Sequence, residues 1–322
     1  MARDTALSVV ALGGGHGLAA TLKALRRLAD DLTVDELTAV VTVADNGGSS
    51  GRLRGEFGVL PPGDLRMALA ALCGSDQWGS TWAEVVQHRF AGDGEMHGHV
   101  IGNLLLVGLW ERLGDHVQAL DWMGRLLGAR GRVLPMATTP MDITAEVVGL
   151  VAEDPAATHT VRGQVEVAGT VGRIESVSLD PPSPPACQDA LDAIQAAEWL
   201  VLGPGSWFTS VIPHLLVPDL RAALEARGDR LVVVLNLPST DVETDGFSSV
   251  DHLSALRAVA PDLAVHAVVA DPTAVTDRTA LEQAAAAMGG RLVVTDVAVD
   301  DGRPQHDPER LAAALASVFV GD

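Results

Sequence analysis

The chain has 322 residues, 48% of them hydrophobic and 3% aromatic, with a formal net charge of −20. That acidity (42 Asp plus Glu against 22 Lys plus Arg) excludes a non-specific nucleic-acid binder, which needs a basic surface. No apolar run approaches the ~20 residues of a membrane span. The short N-terminal run with its acidic Asp4 does not read as a signal peptide, and Cys73 and Cys187, far apart in the chain, suit a reducing compartment; a cytoplasmic protein is expected.

In chain order, residues 7–12 (LSVVAL) read as a buried strand that runs into Gly13-Gly14-Gly15-His16-Gly17. Leucines 18, 22, 25 and 28 then recur at helical spacing. Residues 37–43 form a second strand, which delivers the chain into TVADNGGSSGRLRGEFGVLPPGDLR at 42–66, read as a glycine-rich loop ending at a helix start. Helices are predicted over 64–73, 81–90, 99–113 and 115–127. Between 132 and 179 the pattern turns β-rich, with an antiparallel hairpin expected, and Asp180-Pro-Pro-Ser-Pro-Pro185 is a stiff connector. Alternation then resumes: helix 187–197, strand 199–202, the turn Gly203-Pro204-Gly205-Ser206, helices 208–216 and 219–226, and strand 231–236. Helix 250–260, strand 264–270, helix 278–288, strand 291–295 and helix 308–319 complete the chain. The pattern predicts an α/β, Rossmann-like three-layer sandwich with a mostly parallel sheet, a β-rich hairpin segment around 132–179, and one domain over 1–322. Ligands of such sheets bind at the carboxyl ends of the strands, where strand order reverses.

Three glycine-rich turns follow strands. The first, at 13–17, has more glycines than a tight turn needs; it exposes N–H groups and a helix N-terminus to an anion. The second holds Asp45, Asn46, Gly47, Gly48, Ser49, Ser50 and Arg52, a second anion cradle beside two carboxylates. Asp45 and Asp64 are candidate ligands of a hydrated Mg²⁺, with Asp64 as a plain helix cap the alternative. Arg52 and Arg54 either grip phosphate or pair with surface acids. The third turn offers Gly203, Gly205 and Ser206, with the hydroxyls of Thr209 and Ser210 at the following helix start. Asn103, Asn236 and Phe247 join the candidate ligand contacts; Phe247 either stacks on a base or anchors its loop. His97-Gly98-His99 lacks a Cys or carboxylate at useful spacing for zinc. Walker A and Ser–His–Asp patterns do not occur.

Taken together, GGGHGL at 13–18, TVADNGGSSGRLR at 42–54, PPGDLR at 61–66, HGHVIGNLLL at 97–106, LGPGSWFTSVIPHLLV at 202–217 and ETDGFSSVDHL at 243–253 resemble the YvcK-type gluconeogenesis factor family. That family is grouped with the CofD-like 2-phospho-L-lactate transferases. The resemblance spans most of the chain. It implies a CofD-like fold, a cytoplasmic bacterial protein that binds UDP-N-acetylglucosamine, and a role in cell shape and in balancing central carbon metabolism against peptidoglycan synthesis. The transferase branch, which moves a phospholactyl group from a guanylated donor to a deazaflavin in coenzyme F420 biosynthesis, implies Mg²⁺ on Asp45 and Asp64. His16 stands where that family usually has Thr or Ser, and Phe247 where Tyr is common. Two hypotheses therefore lead, a UDP-sugar-binding regulator and a Mg²⁺-dependent transferase, with a nicotinamide oxidoreductase as a weaker third. The apolar faces of 99–113 and 208–216 are either core or contacts of a homo-oligomer.

Overall fold

The computed structural model describes residues 7–31, 33–238 and 242–321. Ten strands are found among them: β1 (Leu7–Gly13), β2 (Val34–Val41), β3 (Arg132–Pro135), β4 (Asp142–Val148), β5 (Thr158–Arg162), β6 (Arg173–Asp180), β7 (Trp199–Leu202), β8 (Leu231–Val234), β9 (Ala267–Ala270) and β10 (Arg291–Val294). Seven make one all-parallel sheet in the order β10-β9-β8-β7-β1-β2-β3. β7, β8 and β9 are buried at every position, which is why they read as unbroken apolar runs rather than alternating ones.

The chain starts in the middle of this sheet, builds outward through β2 and β3, then returns to the other flank of β1 with β7. Because such crossovers are right-handed, reversing the direction of travel moves the covering helices to the opposite face. Helix Gly15–Asp30 packs with Pro62–Leu72 and Pro308–Val320 on one face, while Gln188–Ala196 lies against β1 and β3. The reversal falls between β1 and β7, whose carboxyl ends carry the first and third glycine turns; the second follows β2, their neighbour.

The β-rich segment divides. β3 joins the main sheet, and β4, β5 and β6 form a separate antiparallel sheet in the order β5-β4-β6. One ion pair ties this small sheet to the body, Arg54 to Asp142 at 2.7 Å, while within the sheet Arg162 links Asp142 at 2.7 Å and Asp180 at 2.5 Å.

Two expectations are corrected. Residues 45–54 are not one loop: after a short turn, Gly48–Phe57 is a helix. Its three glycines, at 48, 51 and 55, are weak helix formers, so the sequence hides it; packing against Pro62–Leu72 and Ile101–Leu113 holds it, and Gly51 lets it start close to its own preceding turn, where a Cβ would overlap the carbonyl of Asn46. Residues 208–216 hold a π-helical turn, Trp207–Val211, followed by Pro213–Leu216. All but Leu216 of that stretch are buried within the chain, so this face is core, not an oligomer contact. No helix among the described residues is long and apolar enough to cross a membrane.

Candidate functional site

The first and third turns meet. A Cβ at Gly17 would overlap the carbonyl of Pro204, and one at Gly14 would press on Thr42 and lie 2.6 Å from Asp64 Oδ2, so both glycines are required by close approach. Gly15 adds a left-handed φ of 56°. Gly14 caps helix Gly15–Asp30 without any side-chain hydrogen bond of its own; Gly15 N–H goes to Asp64, which leaves the N–H groups of His16 and Gly17 for an anion. The third turn is held rigid: Thr21 Oγ1 donates to Gly203 O at 3.0 Å, and the Asn236 amide clamps Gly205, accepting from its N–H at 2.9 Å and donating to its carbonyl at 2.9 Å.

Between them lies a cleft of about 510 Å³, within the size range of small-molecule sites. Its walls are Gly14–Gly17, Pro204–Ser206, Asp64, Ser210, Asn236 and Leu237, with Gln164 from the short helix between β5 and β6 and Arg303–His306 from the far end of the chain. Of the sequence candidates, Gly14, Gly15, His16, Gly17, Asp64, Gly205, Ser206 and Asn236 line this cleft. Gln164, Leu237 and the 303–306 segment were missed. Of the two hydroxyls expected at the helix start, Ser210 lines the cleft, whereas the Thr209 hydroxyl donates to the buried Glu243 at 3.1 Å. Phe247 packs edge-on against Phe208 and His252, each at 5.7 Å, and borders a neighbouring cavity of about 200 Å³ that shares Asn236 and Leu237 with the main cleft.

The second turn behaves differently, because its side chains are committed to other parts of the protein. Asn46 accepts from Val165 N–H at 2.9 Å and donates to Glu166 at 2.8 Å, fastening the short helix Gln164–Ala168. Ser49 is buried; its oxygen accepts from Val100 N–H at 3.3 Å and Asn103 Nδ2 at 3.1 Å, and lies 3.2 Å from His99 Nδ1. With two donors already on that oxygen, the Ser49 proton goes to His99. Asn103 in turn accepts from Arg66 Nε at 3.1 Å. Arg52 donates to the carbonyls of His97 at 2.8 Å and Glu95 at 3.4 Å. Ser49, Asn103, Arg52 and Asn46 thus join elements together rather than facing the cleft. Ser50 is buried against Gly63, and Gly47 N–H donates to Asp45 at 2.8 Å.

Asp64 does not cap its helix; Pro61 is the cap residue, and Asp64 receives the Gly15 N–H instead. Burial of its carboxyl, then the nearby Asp45 carboxylate, push its pKa up to about 7 against the pull of the Gly15 N–H and Arg66. Asp45 Oδ2 would lie 2.8 Å from a Cβ on Gly63, so glycines at 14 and 63 keep open the space around both acids. Two carboxylates held in repulsion suit a Mg²⁺ that keeps waters or phosphate oxygens as its remaining ligands. Among the described residues no third His, Cys or acid joins them.

Known proteins bear on this geometry. The family model described as 2-phospho-L-lactate transferase CofD matches residues 9–307. A putative gluconeogenesis factor of Mycobacterium tuberculosis is 52% identical over 98% of this chain and 91% of its own length. The gluconeogenesis factor of Listeria monocytogenes is 33% identical over 99% and 98%. A solved structure of a UPF0052-family protein from Bacillus halodurans superposes with a TM-score of 0.85 at 30% identity, covering 97% of this chain and 99% of that one. The chain belongs to the CofD family, among the members named gluconeogenesis factors.

Proposed function

We propose that the chain is a UDP-sugar-binding regulatory protein whose ligand is UDP-N-acetylglucosamine. The observation that carries this reading is the cleft at the β1–β7 reversal, where an uncapped helix N-terminus and two glycine turns in contact form a cradle suited to a diphosphate. Its volume leaves room for a sugar or nucleoside beyond the phosphates. The biological role, linking central carbon metabolism to cell-wall synthesis and cell shape in the cytoplasm, is supported by the resemblance in the sequence and by the name gluconeogenesis factor that its relatives carry.

A second reading is favoured by the Asp45–Asp64 pair: a Mg²⁺-dependent phospholactyl transferase with a guanylated donor and a deazaflavin acceptor. The two carboxylates would hold the metal, which when bound would neutralise charge on a phosphoryl group. This chain's own contribution would be to orient the phosphates on the Gly15–Gly17 turn and keep them close to the acids.

Calorimetric titration with UDP-N-acetylglucosamine, GDP and NAD, each with and without Mg²⁺, separates these readings. Saturable binding of the UDP-sugar without turnover is the expected result. Binding of GDP alone, and only with metal, would overturn it in favour of the transferase; NAD binding alone would point to an oxidoreductase.

A further inference from the structure

The cleft runs along the strand ends, and its two ends differ. At the β8 end, past Asn236 and Leu237, it adjoins the cavity bordered by Phe247, and Leu237 and Phe247 offer apolar surface there. At the β2 end stand three polar side chains, Asp64, Gln164 and Ser210. Two of them converge on Gly14, where a Cβ would lie 2.6 Å from Asp64 Oδ2 and 3.3 Å from Ser210 Oγ.

Gln164 reaches this end by the way its helix is held. It opens the helix Gln164–Ala168, which Asn46, just past β2, fastens through Val165 N–H at 2.9 Å and Glu166 at 2.8 Å. Gly163, at a left-handed φ of 107°, turns β5 directly into that helix, and a Cβ on it would overlap Glu166 and Asn46. Its N–H donates to Ile143 O at 2.8 Å. The helix packs in turn against the π-helical turn Trp207–Val211, which carries Ser210.

Neither polar group is used by the protein itself. Ser210 is 6% exposed, yet its hydroxyl has no hydrogen-bond partner among the described residues, and neither has the Gln164 amide. Both line the cleft and stay open to it. The amide brings two donors and an acceptor, the hydroxyl a donor and an acceptor. Charge then sorts the cleft. Arg303 is the one guanidinium among its described residues, and it donates to Asp301 at 2.7 Å. No cation therefore draws phosphate toward Asp64, whose carboxyl disfavours a second anion. The group that suits this end is neutral and rich in hydroxyls or amides.

We propose that Gln164 and Ser210 bind the sugar of a nucleotide sugar, Gln164 pairing its amide with an acetamido or hydroxyl group and Ser210 adding one hydrogen bond. The ligand then lies with its phosphates on the Gly15–Gly17 turn and its sugar toward β2. The assignment rests on the nucleotide-sugar reading above and adds the direction of the ligand and the residues that select its sugar. A site built to hydrogen-bond a group discriminates against an analogue that lacks it.

Calorimetry on the full chain should compare UDP-N-acetylglucosamine with UDP, which keeps the nucleoside and phosphates and lacks the acetamido sugar. Gln164→Ala should bind the UDP-sugar roughly 10-fold more weakly and Ser210→Ala about 5-fold more weakly, as for the loss of one or two hydrogen bonds. Both should hold UDP within about 2-fold of wild type, because the lost contacts are remote from the phosphates. Melting temperatures should stay close to the parent's, since neither side chain is hydrogen-bonded within the protein. The side-chain amide resonance of Gln164 should move on addition of the UDP-sugar and stay in place with UDP. Wild-type affinity for the UDP-sugar in both variants, or an equal loss for UDP and UDP-sugar, overturns the assignment and leaves the function proposed above standing. A wild type that binds no UDP-sugar removes that function and the assignment with it.

Discussion

The turns after β1 and β2 share a composition and divide the labour. Residues 13–17 give one backbone donor, Gly15 N–H, to Asp64 and keep those of His16 and Gly17 at a cleft, and the single side chain among them, His16, is exposed on its wall. Residues 46–52 spend their polar side chains on the protein's own groups, where Asn46, Ser49 and Arg52 bind the short helix Gln164–Ala168, helix Ile101–Leu113 and the 95–97 turn. Glycine therefore serves two ends here. In the first turn it lets two backbones touch while a ligand's anion reaches the N–H groups; in the second it lets a helix start against its own preceding turn. A polar, glycine-rich stretch is evidence of close approach, and what approaches differs from case to case.

Four substitutions test that division. The largest effect is expected for Gly17→Ala, whose Cβ would overlap the Pro204 carbonyl. Separating the two turns should abolish UDP-sugar binding and cost about 3 kcal/mol of stability, from the overpacking range, read by calorimetry and by urea unfolding. Ser49→Ala should act oppositely, losing about 2–3 kcal/mol because three buried partners are stranded, while ligand affinity stays within about threefold. A large loss of affinity in Ser49→Ala would erase the contrast between the turns.

Asp64→Asn adds a pH signature. The folded pKa of about 7 lies above the ordinary 3.8, so the favourable contribution of the neutral carboxyl is complete below about 3.8 and is lost as pH rises through 7. The variant should therefore be more stable than wild type by on the order of 1–3 kcal/mol at pH 8, with the difference closing by about pH 4, as thermal melts across that range would show. It should also weaken Mn²⁺ binding measured by paramagnetic resonance. The smallest effect belongs to Arg52→Ala: its exposed side chain makes two carbonyl contacts, and a loss below about 1 kcal/mol with unchanged UDP-sugar affinity is expected. An order-of-magnitude loss of affinity would return Arg52 to the ligand.

The buried parallel strands were legible in the sequence because their burial on both faces leaves them no polar positions; β7 was read to the residue, and the glycine turns at their ends followed from it. The Gly48–Phe57 helix was not, since three glycines in ten residues speak against a helix that only its neighbours sustain. Among the expected contacts, Gly14, Gly15, Gly17 and Gly205 line the cleft with Ser206 and Asn236, whereas Gly13, Gly47, Gly48 and Gly203 do not. Side-chain direction was the harder reading: Thr209 and Ser210 differ by one step around a π-helical turn, and only the second reaches the cleft. His306 gave little sign beyond preceding an Asp-Pro helix start, because its place depends on a ribbon pinned by Asp271 from elsewhere in the chain.

The touch between Gly17 and Pro204 has a thermodynamic corollary. Its partners come from opposite halves of the chain and become neighbours only when β1 and β7 align, with Val9 beside Trp199 and Leu12 beside Leu202. A slip of one residue in that pairing would turn each strand's side chains to the wrong layer and draw the two turns out of line. The recognition surface is thus a property of correct topology, absent from any partly assembled chain. Whatever occupies it stabilises that topology by mass action, so the cellular supply of ligand would set how long the protein survives as well as what it senses.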